Sequence, residues 1–427
     1  MIKNKKILVY GYGKEGKAAA EFLKDGNEIK IHDDSYGIPI GTDEHFDLIV
    51  RSPGVRPDHP LIKKLISKGA MLSSSTQMFF ELCPCPVIGV TGTKGKGTTA
   101  TLIYEMLKRE GGDVHLAGNI GTPMLEVLPQ LTAQSRVVLE LSSFQLMDLK
   151  KSPHIAVVLM ITQEHLDWHS SKDEYIKAKE PIVACQNEAD VAIINQDFET
   201  SKSFAARTKA KVLFFSTQTQ TNGAYLEGDK IMYGGQVVCA TRDVLLPGKH
   251  NLQNVLAALS VAKLENVKNE NIKKVLSSFK GLIHRLQLVS EVGGVKYYND
   301  SFSTTPETTI AAIEAFRKPK ILILGGSSKN SDFTSLGQTI VEDKTIKAIV
   351  LVGKEAGKIK EAIAAAGAFA GKILEGASNM PQIVKIAQSQ ALSGDIVILS
   401  PACASFDMFK NYQDRGEQFV NETAKLT

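Results

Sequence analysis

No apolar stretch of this 427-residue chain approaches the ~20 residues that a membrane-spanning helix needs. Its first residues, Met1-Ile2-Lys3-Asn4-Lys5-Lys6, run straight into a strand pattern rather than a signal peptide. Dense basic runs are missing as well, and the formal net charge is only +4, so nucleic acid is not an expected partner. Small anionic substrates remain compatible with that charge. Cysteine is scarce: there are five, an odd number, and only Cys83-Pro84-Cys85 forms a close pair. That spacing lacks the second half of a zinc knuckle, so free thiols are expected. The expectation is a cytoplasmic, monomeric, globular protein of about two to four domains.

What is present centres on Val87-Ile88-Gly89-Val90-Thr91-Gly92-Thr93-Lys94-Gly95-Lys96-Gly97-Thr98-Thr99. Apolar strand formers run into a glycine-rich turn, then a lysine and threonines, then helix formers from Ala100 to Lys108. Glycines let backbone N–H groups close around phosphate oxygens, and the following helix N-terminus adds positive potential. Lys96 would reach terminal phosphates and a threonine hydroxyl would hold magnesium. The loop departs from a strict Walker A. Val90 stands where the first glycine belongs, and Gly97 where Ser or Thr should follow the lysine. ATP is the expected ligand.

Three segments follow from the pattern, with expected boundaries 1–86, 87–287 and 288–427. In the first, strands at Lys6–Tyr10, Glu28–His32 and Phe46–Val50 alternate with a helix at Lys17–Lys24, a βαβ order that argues a parallel sheet. Cys83-Pro84-Cys85-Pro86 reads as a linker. The second segment adds strands at Arg136–Leu141, Ile155–Ile161 and Val191–Ile194. The turn-rich stretch Ala210–Leu246 then reads as antiparallel hairpins, before a helix over His250–Leu264. In the third, strands at Pro319–Leu324, Lys347–Val352 and Asp395–Leu399 again alternate with helices. The fold class expected is α/β in three domains: Rossmann-like, P-loop ATPase-type, Rossmann-like.

Several polar groups sit at strand ends, where open α/β sheets bind ligands. Gly11-x-Gly13-x-x-Gly16 with Asp33 matches a dinucleotide fingerprint; NAD, a flavin, a nucleotide-sugar diphosphate or plain helix–strand packing would each satisfy it. Glu140 either holds Mg²⁺ or caps a turn. Thr162-Gln163-Glu164-His165-Leu166-Asp167 makes a metal site plausible. Asn299-Asp300-Ser301 and the hydroxyls after it suit a nucleotide or substrate, while Thr305-Pro306 suits a helix start. Gly325-Gly326-Ser327-Ser328-Lys329 and Ser400-Pro401-Ala402-Cys403-Ala404-Ser405 suit a carboxylate or are ordinary loops.

Together these pieces resemble the Mur ligase family over essentially the whole chain. The marks are Gly92-Thr93-Lys94-Gly95-Lys96, Gly118-Asn119-Ile120-Gly121, Glu140–Leu146, Glu164-His165-Leu166-Asp167, His284-Arg285, Asn299-Asp300-Ser301 and Ser400–Asp407. The last, continued by Phe409-Lys410-Asn411-Tyr412 and Arg415-Gly416, resembles the glutamate-adding members.

The resemblance implies ATP-dependent amide-bond formation in peptidoglycan precursor synthesis, between glutamate, D-glutamate first, and UDP-N-acetylmuramoyl-L-alanine. Gly11, Gly13, Lys14, Glu15, Asp34, Ser35, Gly54 and Asn119 would bind the UDP substrate. Gly92 to Thr99, with Asn251, Asn254, Arg285 and Asp300, would bind ATP. Thr98, Glu140, His165 and Lys179, the last as a carbamate formed from CO₂ or bicarbonate, would hold two Mg²⁺. Thr304, Lys329, Ser405, Phe406 and Tyr412 would receive glutamate. Lys96, Asn119, His165 and Lys179 would be the catalytic groups. Phe302 is a departure, because the glutamate-adding members usually carry lysine after Asp-Ser. Asp34 and Ser35 replace a basic uridine-side contact. An L-glutamate-adding variant, a folylpolyglutamate-type ligase, which shares the Gly-Lys-Gly-Thr arrangement, and a non-catalytic nucleotide-binding protein stay open at this point.

Overall fold

The computed structural model describes residues 2–34, 37–38, 44–162, 168–327 and 331–426, without the side chains at 249 and 250. The chain divides into two compact units, Met1–Val244 with His250–Ser278, and Leu245–Lys249 with Phe279–Thr427.

The first unit contains three sheets. Strands β1 (Lys6–Tyr10), β2 (Glu28–His32), β3 (Leu48–Arg51) and β4 (Met71–Ser74) form a parallel sheet of order β2-β1-β3-β4. A six-stranded parallel sheet follows, made of β5 (Val87–Thr91), β6 (Val114–Gly118), β7 (Arg136–Glu140), β8 (Ile155–Val158), β9 (Val191–Asn195) and β10 (Lys211–Phe215). Its order is β10-β9-β8-β5-β7-β6. The central strands β5 and β8 are buried throughout, which is why they read as near-continuous apolar runs. A small antiparallel sheet of β11 (Ala224–Glu227), β12 (Lys230–Tyr233) and β13 (Gln236–Ala240) completes the unit.

One expectation is corrected here. The stretch from Ala210 is not hairpin from its start: β10 pairs parallel with β9, and only β11–β13 are antiparallel. Cys83–Pro86 connects the helix Ser75–Leu82 to β5 without regular structure, as expected of a linker. Cys85 is buried at 5 % exposure and joins a core that also contains Ile7, Val50, Leu139 and Ile194. All five cysteines are free thiols.

The second unit is built on one six-stranded sheet: β14 (Gln287–Val292), β15 (Val295–Asn299), β16 (Lys320–Gly325), β17 (Ile346–Val352), β18 (Lys372–Leu374) and β19 (Ile396–Leu399). The order is β14-β15-β19-β16-β17-β18, parallel except for β14 against β15. Apolar cores lie on both faces. Leu322 and Leu324 point to one, Ile321 and Ile323 to the other, as the period of two in a strand requires. Among the described residues, no helix is long and apolar enough to cross a membrane.

Candidate active site

The glycine-rich loop sits at the C-terminal end of β5, in the middle of the six-stranded sheet. Gly95 has φ 88° and caps the helix Lys96–Arg109. A Cβ at Gly95 would run into the Asn254 amide, and one at Gly92 would lie 2.7 Å from Leu159 Cβ. The Lys96 ammonium spans the loop, donating to the Gly92 carbonyl at 3.1 Å and the Thr93 carbonyl at 2.9 Å. Backbone N–H groups at the start of a four-turn helix, with a lysine folded over them, form a cradle for phosphates. Thr98 is half-exposed in the first turn and Lys94 is exposed, whereas Gly97 and Thr99 are buried.

Neighbouring strand ends supply the rest of this cluster. Asn119 follows β6, and its Nδ2 donates to Glu140 Oε1 at 3.3 Å at the end of β7. Glu140 is 4 % exposed, and the contact described for its carboxylate is an amide rather than a cation. A buried hard oxygen donor of this kind suits a divalent ion such as Mg²⁺. Lys179 is 1 % exposed; its Nζ donates to the Gly92 carbonyl at 3.2 Å and lies 4.5 Å from the Tyr175 ring centroid. Tyr175 donates its hydroxyl to Thr93 Oγ1 at 3.1 Å, and Thr93 Oγ1 in turn accepts from the Thr162 N–H at 2.9 Å. Asn251 and Asn254 are buried together, joined Nδ2 to Oδ1 at 2.9 Å. His165 lies outside the described residues. Among those described, no group of three or more His, Cys, Asp or Glu side chains could hold a metal.

The fingerprint loop lies at the ends of β1 to β3. Gly11 has φ 89°, and the Ser52 hydroxyl donates to its carbonyl at 2.7 Å. Gly13 precedes the helix Lys14–Leu23, which therefore starts earlier than the sequence pattern suggests. Lys14 Nζ donates to the Gly121 carbonyl at 2.8 Å, and Gln145 Nε2 to Glu15 Oε1 at 2.6 Å. Lys14 and Glu15 are thereby brought beside the loops after β6 and β7. Burial pushes the Glu15 carboxyl up to about 7, although Gln145, Arg51 and Lys14 pull the other way. Asp34 accepts from the Tyr10 hydroxyl at 2.6 Å, and Gly54 is exposed with its carbonyl 3.4 Å from Trp168 Nε1. Ser35 lies outside the described residues.

In the second unit, three adjacent parallel strands end together. Asp300–Thr304 follows β15, Ser400–Ser405 follows β19, and Gly326 and Ser327 follow β16. The Ala402 N–H donates to the Ser303 carbonyl at 3.0 Å, and the Ser327 N–H to the Ala404 carbonyl at 2.9 Å. Burial raises the Asp300 carboxyl to about 6, while it accepts from the Ser400 hydroxyl at 2.7 Å and the Leu286 N–H at 3.1 Å. Thr304 is half-buried, Ser405 buried, and Phe406 75 % exposed. Tyr412 starts the helix Tyr412–Thr423. Where the resemblance leads one to expect a lysine, the Phe302 ring carries the Arg285 guanidinium 3.9 Å above its centroid. Lys329 lies outside the described residues.

Sequence reasoning missed Arg51 and Tyr175, and read Arg415 only as a family mark. Arg51 is fully buried and pairs with both oxygens of Asp148, at 2.5 and 2.7 Å. Arg415 is buried and donates to Ser301 Oγ, Ser301 O and Cys403 O at 2.9, 2.9 and 3.1 Å; burial lowers it to about 10. A charged residue closing an apolar strand, Arg51 in Leu48–Arg51, is the one available signal for the first. Tyr175 carried none.

Parallel sheets ending in a phosphate cradle, with buried acids and amides on the neighbouring strand ends, define a nucleotide-using α/β enzyme. Residues 90–262 match the Mur ligase middle domain, and residues 284–403 match the Mur ligase glutamate ligase domain. The chain belongs to the Mur ligase family, whose members are ATP-dependent, ADP-forming amide ligases. It is 38 % identical to the UDP-N-acetylmuramoylalanine–D-glutamate ligase of Acetivibrio thermocellus, over 98 % of this chain and 96 % of that one. With the same-named protein of Geobacillus kaustophilus it shares 37 % identity over 99 % and 98 %. Among solved structures, the UDP-N-acetylmuramate-alanine ligase of Thermotoga maritima superimposes with TM-score 0.63 at 16 % identity, covering 99 % of each chain. The MurF ligase of Thermotoga maritima, solved with ADP, gives 0.61 at 17 %, covering 99 % of this chain and 95 % of that one. These two likenesses are of fold alone.

Proposed function

We propose that this chain joins glutamate, in its D form, to the alanyl carboxylate of UDP-N-acetylmuramoyl-L-alanine in the cytoplasm, as a monomer. The observation that carries the reading is the Gly92–Lys96 cradle, with Lys96 Nζ folded over its carbonyls, in a chain that is 38 % identical to a named D-glutamate ligase along nearly its full length.

A carboxylate is a poor acyl donor at neutral pH. Transfer of the γ-phosphoryl group to it gives an acyl phosphate, and the glutamate amine then displaces phosphate through a tetrahedral intermediate. Two anions meet in the first step, so cations must offset their repulsion. Lys96 swings from the loop carbonyls to the γ-phosphate, and the N–H groups at Gly95 to Thr98 hold the β-phosphate. Asn119 orients substrate oxygens through its amide. Magnesium, when bound, neutralises the developing phosphate charge; Thr98 and Glu140, with His165 and a carbamylated Lys179, would hold it. Carbamylation would require the Lys179 ammonium to lose a proton; the neutral amine would then add CO₂ and release a second proton, leaving an anionic oxygen ligand in place of a cation. Gly11, Gly13 and Lys14 would take the diphosphate, and Thr304, Lys329 and Ser405 the glutamate carboxylates.

The deciding experiment is ADP release with UDP-N-acetylmuramoyl-L-alanine and D-Glu, L-Glu, L-Lys or diaminopimelate, each supplied separately. Stimulation by D-Glu is expected. Stimulation by L-Glu alone would assign the other stereochemistry, and stimulation by neither would overturn the reading. Lys96→Ala should abolish turnover while circular dichroism stays that of the folded chain.

A further inference from the structure

Arg285 sits at the apex of an unusual turn. The residues on either side of it, His284 and Leu286, are both non-glycines with left-handed φ, 63° and 42°. Such conformations persist only where the surroundings enforce them. Here the surroundings do so from both sides. Asp300 Oδ1 accepts from the Leu286 N–H at 3.1 Å. Asn299 Nδ2 lies 2.9 Å from His284 Nδ1, and the Phe302 N–H donates to the His284 carbonyl at 3.0 Å. Gly416 leaves room for the His284 ring, because a Cβ there would strike it. The backbone that displays Arg285 is thus fixed by Asn299 at the end of β15 and by residues that follow it.

The side chain is held by the same segment. Its guanidinium carbon lies 3.9 Å from the Phe302 ring centroid. That ring is 38 % exposed, and Tyr412 braces it edge-on with centroids 5.1 Å apart. An aromatic face attracts a guanidinium, a group that carries a planar fork of N–H donors. Such a fork suits phosphoryl oxygens.

We propose that Phe302 is a positioning residue that holds Arg285 ready for the phosphate chain of ATP. The inference rests on the ligase reading above and on the family resemblance, which implies Arg285 as an ATP contact. In this role Phe302 acts through Arg285.

The test compares Phe302→Leu, Phe302→Tyr and Phe302→Trp in ADP release, titrating ATP and glutamate separately. Phe302→Leu should raise the KM for ATP by about two- to five-fold, with little effect on kcat. The aromatic variants should restore it, in an order set by the ring rather than by side-chain volume. In an Arg285→Ala background, Phe302→Leu should add nothing. An unchanged KM for ATP in Phe302→Leu, a rise confined to glutamate, or an additive loss in the Arg285→Ala background would overturn the proposal. NMR gives a readout independent of turnover. The Arg285 Nε–Hε resonance should be shifted upfield by the ring in the native protein and lose that shift in Phe302→Leu; an unshifted native resonance would also overturn the proposal. If the native chain shows no glutamate-dependent ADP release, it is the ligase reading that fails, and the NMR result still decides whether Phe302 holds Arg285.

Discussion

Lys179 Nζ donates to the carbonyl oxygen of Gly92 at 3.2 Å, so a wholly buried lysine touches the first glycine of the phosphate cradle. The contact runs from residue 179 to the loop after β5 and joins sequence segments that no local pattern links. With Tyr175 bonded to Thr93, it pins the loop from the side facing the β8 strand end.

Replacing Lys179 by alanine should lower kcat by about 10²–10³-fold if its carbamate holds a metal beside the phosphates. A short carboxylate such as acetate should restore part of the activity, because it supplies the lost oxygen ligand. ADP release with and without added acetate measures this. Normal turnover without rescue would show that the side chain serves packing alone.

Gly95 offers a sharper geometric test. Its φ of 88° disfavours any side chain, and a Cβ would displace the Asn254 amide. Gly95→Ala should cost about 1–2 kcal/mol in local backbone energy. The shifted cradle should lower kcat/KM for ATP by about 10²-fold. Steady-state kinetics against ATP, with thermal unfolding alongside, separates the catalytic loss from the modest loss of stability.

The strand pattern carried most of this architecture because parallel strands are buried on both faces. Runs such as Lys320–Gly325 therefore announce themselves without alternation. The cradle was legible for a related reason: glycine, lysine and threonine spacing at a strand end has few other uses. What stayed hidden depends on contacts distant in sequence. Nothing near Lys211 reveals that β10 would extend a parallel sheet beside β9, because an edge strand's partner is chosen by the chain already in place. Phe302 looked like the loss of a cation; that its ring would carry Arg285 follows only from the turn at 284–286. Cys83–Pro86 looked like a linker because proline marks irregular backbone, yet proline says nothing about whether Cys85 is buried.

Arg51 and Asp148 give a stability prediction. Arg51 is fully buried, and Asp148 takes both of its ion-pair bonds. Among the described residues, Asp148→Ala leaves the guanidinium with the carbonyls of Phe144, Val55 and its near neighbours. Removing the partly exposed partner of a fully buried guanidinium should destabilise the protein by about 3 kcal/mol. Urea denaturation followed by circular dichroism measures it, and Asp148→Asn, which keeps an acceptor, should lose less.

Glu15 makes stability depend on pH in a definite direction. Burial raises its carboxyl from 4.5 to about 7. Below pH 4.5 the group is protonated in both the folded and unfolded chain, and it costs nothing. Between 4.5 and about 7 the unfolded chain gives up the proton while the folded chain keeps it, so the folded state loses ground as pH rises. Above that window the penalty is constant. Glu15→Gln removes the ionisation and keeps an oxygen that can accept from Gln145. The variant should therefore gain about 3 kcal/mol over the native chain at pH 8 and far less at pH 4.5. Urea midpoints at the two pH values decide it: an equal gain at both would mean that shape or packing, not the proton on Glu15, sets the difference.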